Sequence, residues 1–339
     1  MDTVTGPPAA MCDIRFRSLE FHLPGDPHAL DGLEISDEMR GKLPGLGQEF
    51  SYFSEENSTE MAIVAARSAV EESGIDMAEI GLVISAPTLI TSYGLEIPAI
   101  AVRNALGLWQ AECLNVVQGC VGFLSALRLA SQFLSVQPGP GNVLVVTACK
   151  ASTLMDNLNH GSFFWADAAA AAVVTSEPGG GLKVLAYGER SSDQDWGAMR
   201  LRHGDRRPYT ECSPGDDLLL TVDFPDERAQ LDYIVGEQLR CDGLISALLK
   251  ADDLEATDIE AVFLPSIGAN RIPHLLRTHK ELRSRVKTDF RYAHMGSVDA
   301  LFFLDSYLKR NTRCTSARFI AMTPAYTAQW GGVLLGFDA

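Results

Sequence analysis

The 339-residue sequence contains no uninterrupted apolar run of about 18 to 20 residues, the length a membrane-spanning helix needs. Its longest apolar runs, such as residues 168–174, have the length of buried strands. Basic charge is also short: 28 Lys and Arg stand against 44 Asp and Glu, a net charge of −16. A surface that acidic lacks the basic footprint of a nucleic-acid-binding protein and gains nothing from anionic lipid headgroups. Neither nucleic acid nor membrane is therefore expected as a partner. Residues 1–7 have no basic start and no apolar stretch behind it, so no secretory signal is expected there. The seven cysteines are odd in number and scattered. Cys113 and Cys120 are too far apart for a CxxC pair, and no His stands at zinc-ligand spacing to them. No metal site is expected, and free thiols fit a reducing cytoplasm.

What is present describes a globular chain. Hydrophobic residues make up 46% and charged residues 21%, and the length suffices for two ordinary domains. Alternation over residues 13–23 predicts a half-exposed strand. Met61, Ala62, Ala65, Ala66, Ala69 and Val70 predict an amphipathic helix with Thr59 as its N-cap and Gly74 at its end. Residues 80–86 and 142–149 read as buried strands, and residues 97–106 as a helix stopped by Gly107. Glu177-Pro178-Gly179-Gly180-Gly181 is the clearest punctuation. After it the order partly repeats: strand segments over 182–201, a polar connection over 203–226, and a long helix over 228–249 with Gly236 and Gly243 in its middle. A buried strand over 259–264, a strand-like stretch over 285–293, a helix bearing Val298, Leu301, Phe302 and Leu308, and strands over 317–323 and 330–337 close the chain. Apolar strands alternating with helices predict a mostly parallel sheet covered on both faces. The repeat predicts two halves, 1–178 and 179–339.

Residues 114–134 are the stretch around which the chain is organised. Leu114-Asn115-Val116-Val117 is β-rich, Gln118 and Gly119 break it, and Phe123, Leu127, Ala130 and Leu134 recur at helical spacing. Cys120 thus falls where a strand hands over to a helix N-terminus, whose free N–H groups and dipole favour a thiolate. The same residue would serve as an inert, buried small hydrophobe. His294 and Ser297 hold the matching place in the second half. A pseudo-twofold would bring the two helix N-termini together and give Cys120 a histidine partner.

These segments resemble the thiolase superfamily, in its ketoacyl-carrier-protein synthase III branch, over nearly the whole chain. Asn115-Val116-Val117-Gln118-Gly119-Cys120-Val121-Gly122-Phe123 is similar to that family's nucleophile segment. Phe164-Trp165-Ala166-Asp167 and the alanines behind it resemble its Phe-Gly-Asp-Gly-Ala-Gly-Ala strand turn, and Trp330-Gly331-Gly332 resembles its closing strand. The resemblance implies an α/β, thiolase-like fold: duplicated α-β-α halves in a five-layered α-β-α-β-α sandwich. Two departures stand out. The family's Pro-His-Gln-Ala-Asn segment reads Pro265-Ser266-Ile267-Gly268-Ala269-Asn270 here, with Ser266 in place of the catalytic His. Its Gly-Asn-Thr-Ser segment aligns with Ala293-His294-Met295-Gly296-Ser297, so His294 replaces the Asn.

In the family, that His and Asn stabilise the enolate formed when a malonyl donor loses carbon dioxide. Ser266 cannot replace an imidazole there, so decarboxylative condensation is expected to be impaired. Cys120, His294 and Asp299 suit covalent acyl transfer instead. The expected enzyme moves an acyl group from a carrier-protein or coenzyme A thioester through acyl-Cys120 to a hydroxyl or amine of a small-molecule acceptor. Synthase-III-like acyltransferases of polyketide and antibiotic pathways work in this way. The oxyanion hole would use backbone N–H groups of Cys120 and Tyr326. Ser266 would line the pocket and Asn270 would position the pantetheine arm. No cofactor beyond the donor's phosphopantetheine thioester is implied. The family is dimeric, so a homodimer is expected, with a loop near Thr88 to Tyr93 reaching the partner's pocket. Docking of an acidic carrier would need a local basic patch, for which Arg206, Arg207, Arg271 and Arg277 are candidates; His160 is read as structural. The alternatives are carbon–carbon condensation with an altered triad, thioester hydrolysis, and a non-catalytic partner subunit.

Overall fold

The structure is a computed structural model. It describes residues 10–89, 91, 95–137, 141–153, 163–192, 199–203, 218–222, 224, 226–311, 316–325 and 329–338. The first half contains β1 (Ala10–His22), β2 (His28–Ala29), α1 (Asp37–Leu46), β3 (Phe50–Ser51), α2 (Ser58–Ser73), β4 (Ile80–Ser85), α3 (Pro98–Leu106), β5 (Glu112–Asn115), α4 (Gly122–Ser135), β6 (Asn142–Cys149) and β7 (Ala168–Thr175). The second contains β8 (Gly181–Ser191), β9 (Met199–His203), β10 (Leu218–Val222), α5 (Glu227–Ala251), β11 (Ile259–Phe263), α6 (Ile272–Leu275), α7 (Asp299–Arg310), β12 (Ser316–Ala325) and β13 (Gln329–Asp338).

Among the described residues, nine strands form one sheet in the order β11-β12-β13-β8-β1-β7-β6-β4-β5. The duplication is written in that order. Outward from β1 come β7, β6 and β4, then β5. Outward from β8 come β13, β12 and β11, the same sequence without a fifth member. Residues 285–293, expected to be strand-like, supply only its trace: Val286 bridges Val262 in parallel, and the Lys287 N–H donates to the Val262 carbonyl. The halves join where β1 pairs antiparallel with β8.

The sheet is mixed rather than mostly parallel. Pairs β4–β5, β4–β6 and β11–β12 are parallel, and the other five are antiparallel. The reason lies in what an apolar run reports, which is burial of both faces and not strand direction. Strands β6 and β7 are buried at every residue and yet run antiparallel.

Alternate residues of these strands feed separate cores, as the two-residue pleat requires. Leu144, Val146, Ala169 and Ala171 face the alanine stripe of α2. Val143, Val145, Ala170 and Ala172 face a central core built by Phe123 and Leu127 of α4 and by Leu301 and Leu304 of α7. On the far side Ile320, Met322 and Leu334 pack under Leu244 and Leu248 of α5. Helices therefore lie outside, between and outside again, the expected layered order.

Two local expectations change. The N-cap of α2 is Asn57, not Thr59; its side chain accepts from the Thr59 and Glu60 N–H groups, and Glu60 caps back. Helix α5 runs unbroken through Gly236, because that glycine leaves room for the Arg240 guanidinium, which lies 4.0 Å over the Trp330 ring. Among the described residues, no helix is long and apolar enough to cross a membrane, and no three His, Cys, Asp or Glu side chains are grouped to hold a metal ion.

Candidate active site

Cys120 lies in a short 3-10 turn, Gly119–Val121, one turn ahead of α4. Gly119 has φ +53°, a conformation glycine adopts without the penalty of a side chain. The turn is seated by Val121, which packs where a side chain on Gly331 of β13 would be. The closing-strand glycine therefore leaves room for the turn that carries Cys120. Cys120 itself is 6% exposed.

His294 arrives by backbone pairing. Its N–H donates to the Phe164 carbonyl and its carbonyl accepts from the Ala166 N–H, both at 2.8 Å, so the segment lies parallel to Trp165. The imidazole is buried between two aromatic rings: Trp165 at 4.5 Å between centroids and Phe163 edge-on at 5.4 Å. Nε2 stands 3.4 Å from Cys120 Sγ, and Nδ1 stands 2.6 Å from Asp299 Oδ2. Asp299 opens α7 and is fully buried. Its Oδ1 accepts from the Met295 N–H and its Oδ2 also accepts from the Ser266 N–H, each at 2.7 Å. Burial alone would lower the pKa of His294, but the Asp299 carboxylate and the Cys120 sulfur outweigh it and raise the value to about 10.

Cys120, His294 and Asp299 thus form one hydrogen-bonded line. Ser266 adjoins it through its main chain, while its hydroxyl is bound to the Tyr292 carbonyl. Asn270 is exposed, lies against Gly45 and Gly268, and stands apart from that line. Ser297 is held by Thr88 and Thr147, whose hydroxyls lie 2.8 and 2.5 Å from its own. Arg271 turns inward to Glu237, whereas Arg277 is exposed. Tyr326, His160, Arg206, Arg207 and, within the loop from Thr88 to Tyr93, Ile90, Ser92 and Tyr93 lie outside the described residues.

The sequence did not mark two supporting residues. Asp167 is fully buried, pairs with Lys150 at 2.8 Å, and accepts from the N–H groups of Ser54, Ala151 and Ser152. Its place in Phe164-Trp165-Ala166-Asp167 was the available signal. Gln48 has none: it is one polar residue between α1 and a two-residue strand, and only the fold brings it to Phe164 and Ser266.

The sequence and the fold are similar to those of known proteins. The sequence profile of 3-oxoacyl-[acyl-carrier-protein (ACP)] synthase III matches residues 114–191, the stretch from the nucleophile turn through β8. The chain is similar to synthase III in sequence over that stretch and in fold over nearly its whole length. It is 26% identical over 279 residues to the mycobacterial β-ketoacyl-[acyl-carrier-protein] synthase III of Mycobacterium avium, covering 79% of this chain and 77% of that one. It is 32% identical over 165 residues to the β-ketoacyl-[acyl-carrier-protein] synthase III of Staphylococcus saprophyticus; that match covers 48% of this chain and spans half the length of the relative. Two solved structures share the fold at 18% identity. The ChlB3 acyltransferase superposes with a TM-score of 0.81 over 96% of this chain and 98% of that one. The priming β-ketosynthase of the R1128 polyketide pathway superposes with 0.76 over 99% of each.

Proposed function

We propose that this synthase-III-like protein is an acyltransferase that carries an acyl group on Cys120 and passes it to a hydroxyl or amine of a small-molecule acceptor in secondary metabolism. The observation that carries the reading is the single imidazole of His294, which touches the Cys120 sulfur with one nitrogen and a buried carboxylate with the other. His294, whose pKa is raised to about 10, keeps the proton it shares with Sγ while Sγ attacks the thioester carbonyl. The donor's C–S bond breaks, and the donor thiol leaves with that proton. Acylation also removes the sulfur's share in holding the proton on His294, so its release is coupled to bond formation. The acceptor then gives its proton to His294 as its oxygen or nitrogen attacks the acyl carbon. The bond to Sγ breaks and the sulfur recovers the proton. The oxyanion would be held by backbone N–H groups of Cys120 and Tyr326, and Asn270 would meet the pantetheine arm beyond the buried line.

An acidic carrier protein as donor is supported by residues 271–291. They carry seven Lys and Arg (Arg271, Arg277, Lys280, Arg283, Arg285, Lys287 and Arg291) and only two acids, Glu281 and Asp289, in a chain of net charge −16. Arg277, Lys280 and Lys287 are exposed. A homodimer joined along β5 is supported by that strand's place at the sheet edge and by exposed Trp109, Leu114 and Val117 beside it. Light scattering on Val117→Asp would then report a monomer where the native chain reports a dimer. Free Cys113, Cys120, Cys149 and Cys241 suit a cytoplasmic setting.

The names of the relatives favour a second reading, in which acyl-Cys120 is attacked by the carbanion left when a malonyl thioester loses carbon dioxide. Against it, the Ser266 hydroxyl is already committed to the Tyr292 carbonyl. The experiment loads Cys120 from an acyl-thioester and then offers either alcohols and amines or malonyl-thioester. Discharge to an ester or amide supports acyl transfer. Discharge by malonyl-thioester with release of carbon dioxide overturns it.

A further inference from the structure

We infer that Gln48 is a positioning residue for the triad, fixing His294 and Asp299 from outside the line of hydrogen bonds they form with Cys120. The inference rests on the proposed triad and extends it. Gln48 is 3% exposed. Its amide makes three bonds at once. Oε1 accepts from the Phe164 N–H at 2.9 Å, while Nε2 donates to the Phe164 carbonyl at 3.2 Å and to the Ser266 carbonyl at 2.6 Å. One acceptor and two donors fix the amide's orientation uniquely, since a flipped amide would set N–H against N–H and oxygen against oxygen.

Each of the two residues Gln48 grips passes its position on. The Phe164 carbonyl that takes a bond from Nε2 also takes the His294 N–H at 2.8 Å. The Ser266 N–H, on the residue whose carbonyl Gln48 holds, donates to Asp299 Oδ2, the oxygen bound by His294 Nδ1. One side chain from the α1–β3 connection therefore ties the segment that places the imidazole to the segment that places the carboxylate. Those two segments are 102 residues apart in sequence, Phe164 to Ser266, and no hydrogen bond of the line itself couples them except through His294 and Asp299. Angular error in a buried base is costly because proton transfer needs the donor and acceptor aligned. A residue that sets that angle should act on rate more than on affinity.

The test compares Gln48→Met, which has similar length and no amide, with Gln48→Glu. The latter keeps an acceptor for the Phe164 N–H and, when protonated, one donor. Three readouts are taken: acylation of Cys120 by an acyl-thioester, KM for that thioester, and the pH profile of Cys120 alkylation by iodoacetamide, each read from the mass of the Cys120 peptide. His294 and Cys149 are titratable neighbours of that sulfur, with Asp299 behind His294 and Asp167 beside Cys149, and neither variant alters any of them. Gln48→Met is expected to slow acylation about tenfold to a hundredfold, the scale seen when the support behind a functional side chain is lost. KM should stay within about twofold and the alkylation profile should shift, with Gln48→Glu between this variant and the native chain. A folded Gln48→Met with native acylation rate and native profile overturns the inference. Should Gln48→Met fail to fold, Gln48→Glu decides: a slower rate at unchanged KM supports the inference, and a native rate overturns it. If the native chain itself takes no acyl group, the triad reading fails instead, which separates the two outcomes.

Discussion

The two halves place the same turn at the centre of the molecule and use it differently. In the first half Gly119, at φ +53°, opens a 3-10 turn that leads into α4; in the second Gly296, at φ +64°, opens one that leads into α7. Residue by residue, Gly119-Cys120-Val121-Gly122 stands against Gly296-Ser297-Val298-Asp299. Cys120 meets an imidazole, whereas its counterpart Ser297 is held between two threonine hydroxyls. The fourth position differs most. Gly122 sits against the Ala86 carbonyl, where a side chain would crowd it, while Asp299 places a buried carboxylate under His294. A shared frame thus carries two turns of different use, one presenting a thiol to His294 and one whose hydroxyl is held by two threonines.

The comparison can be broken by moving the nucleophile. In a Cys120→Ala chain, adding Ser297→Cys should leave no acyl adduct at either position, because residue 297 faces Thr88 and Thr147 rather than His294; an adduct at 297 by peptide mass would show the turns to be interchangeable. Removing the carboxylate is the next largest effect. Asp299→Asn should slow acylation by about a hundredfold to ten-thousandfold, the range seen when the residue orienting a catalytic histidine loses its charge, measured by single-turnover mass analysis.

The pH dependence of stability gives a smaller effect with a definite sign. His294 binds its proton up to about pH 10 when folded and to about 6.5 when unfolded. Its contribution is therefore fully present below pH 6.5 and declines as pH rises through about 10. Thermal melts from pH 6 to pH 10 should show this decline in the native chain and a weaker one in Asp299→Asn. Last come the two glycines. Gly296→Ala would place its methyl 2.5 Å from the Thr88 side chain at a positive φ, so it should cost about 2–3 kcal/mol. Gly119→Ala also meets a positive φ and should cost at least about 1 kcal/mol, both by denaturant unfolding.

Much of this was legible in the chain because it was carried by local pattern. The strand over 142–149, the helix ended by Gly107 and the turn at Cys120 follow from runs, spacings and a glycine. The pairing of Cys120 with His294 was legible only because the order of elements repeats. Strand direction was not legible, since burial on both faces writes the same apolar run for either direction. The equivalent of β5 in the second half was over-read: residues 285–293 include four charged side chains and, in place of a ladder, keep isolated bridges from Val286 to Val262 and from Tyr292 to Phe50. Gln48 had no local signature, because its three partners lie 116 and 218 residues away.

The most direct test of the central claim is the mass of the Cys120 peptide after brief exposure to an acyl-thioester, in the native chain and in His294→Ala. The account predicts a stable acyl adduct on Cys120 in the native chain, formed about a thousandfold to ten-thousandfold more slowly in the variant. A native chain that stays unacylated, or a His294→Ala chain that acylates at the native rate, would contradict it.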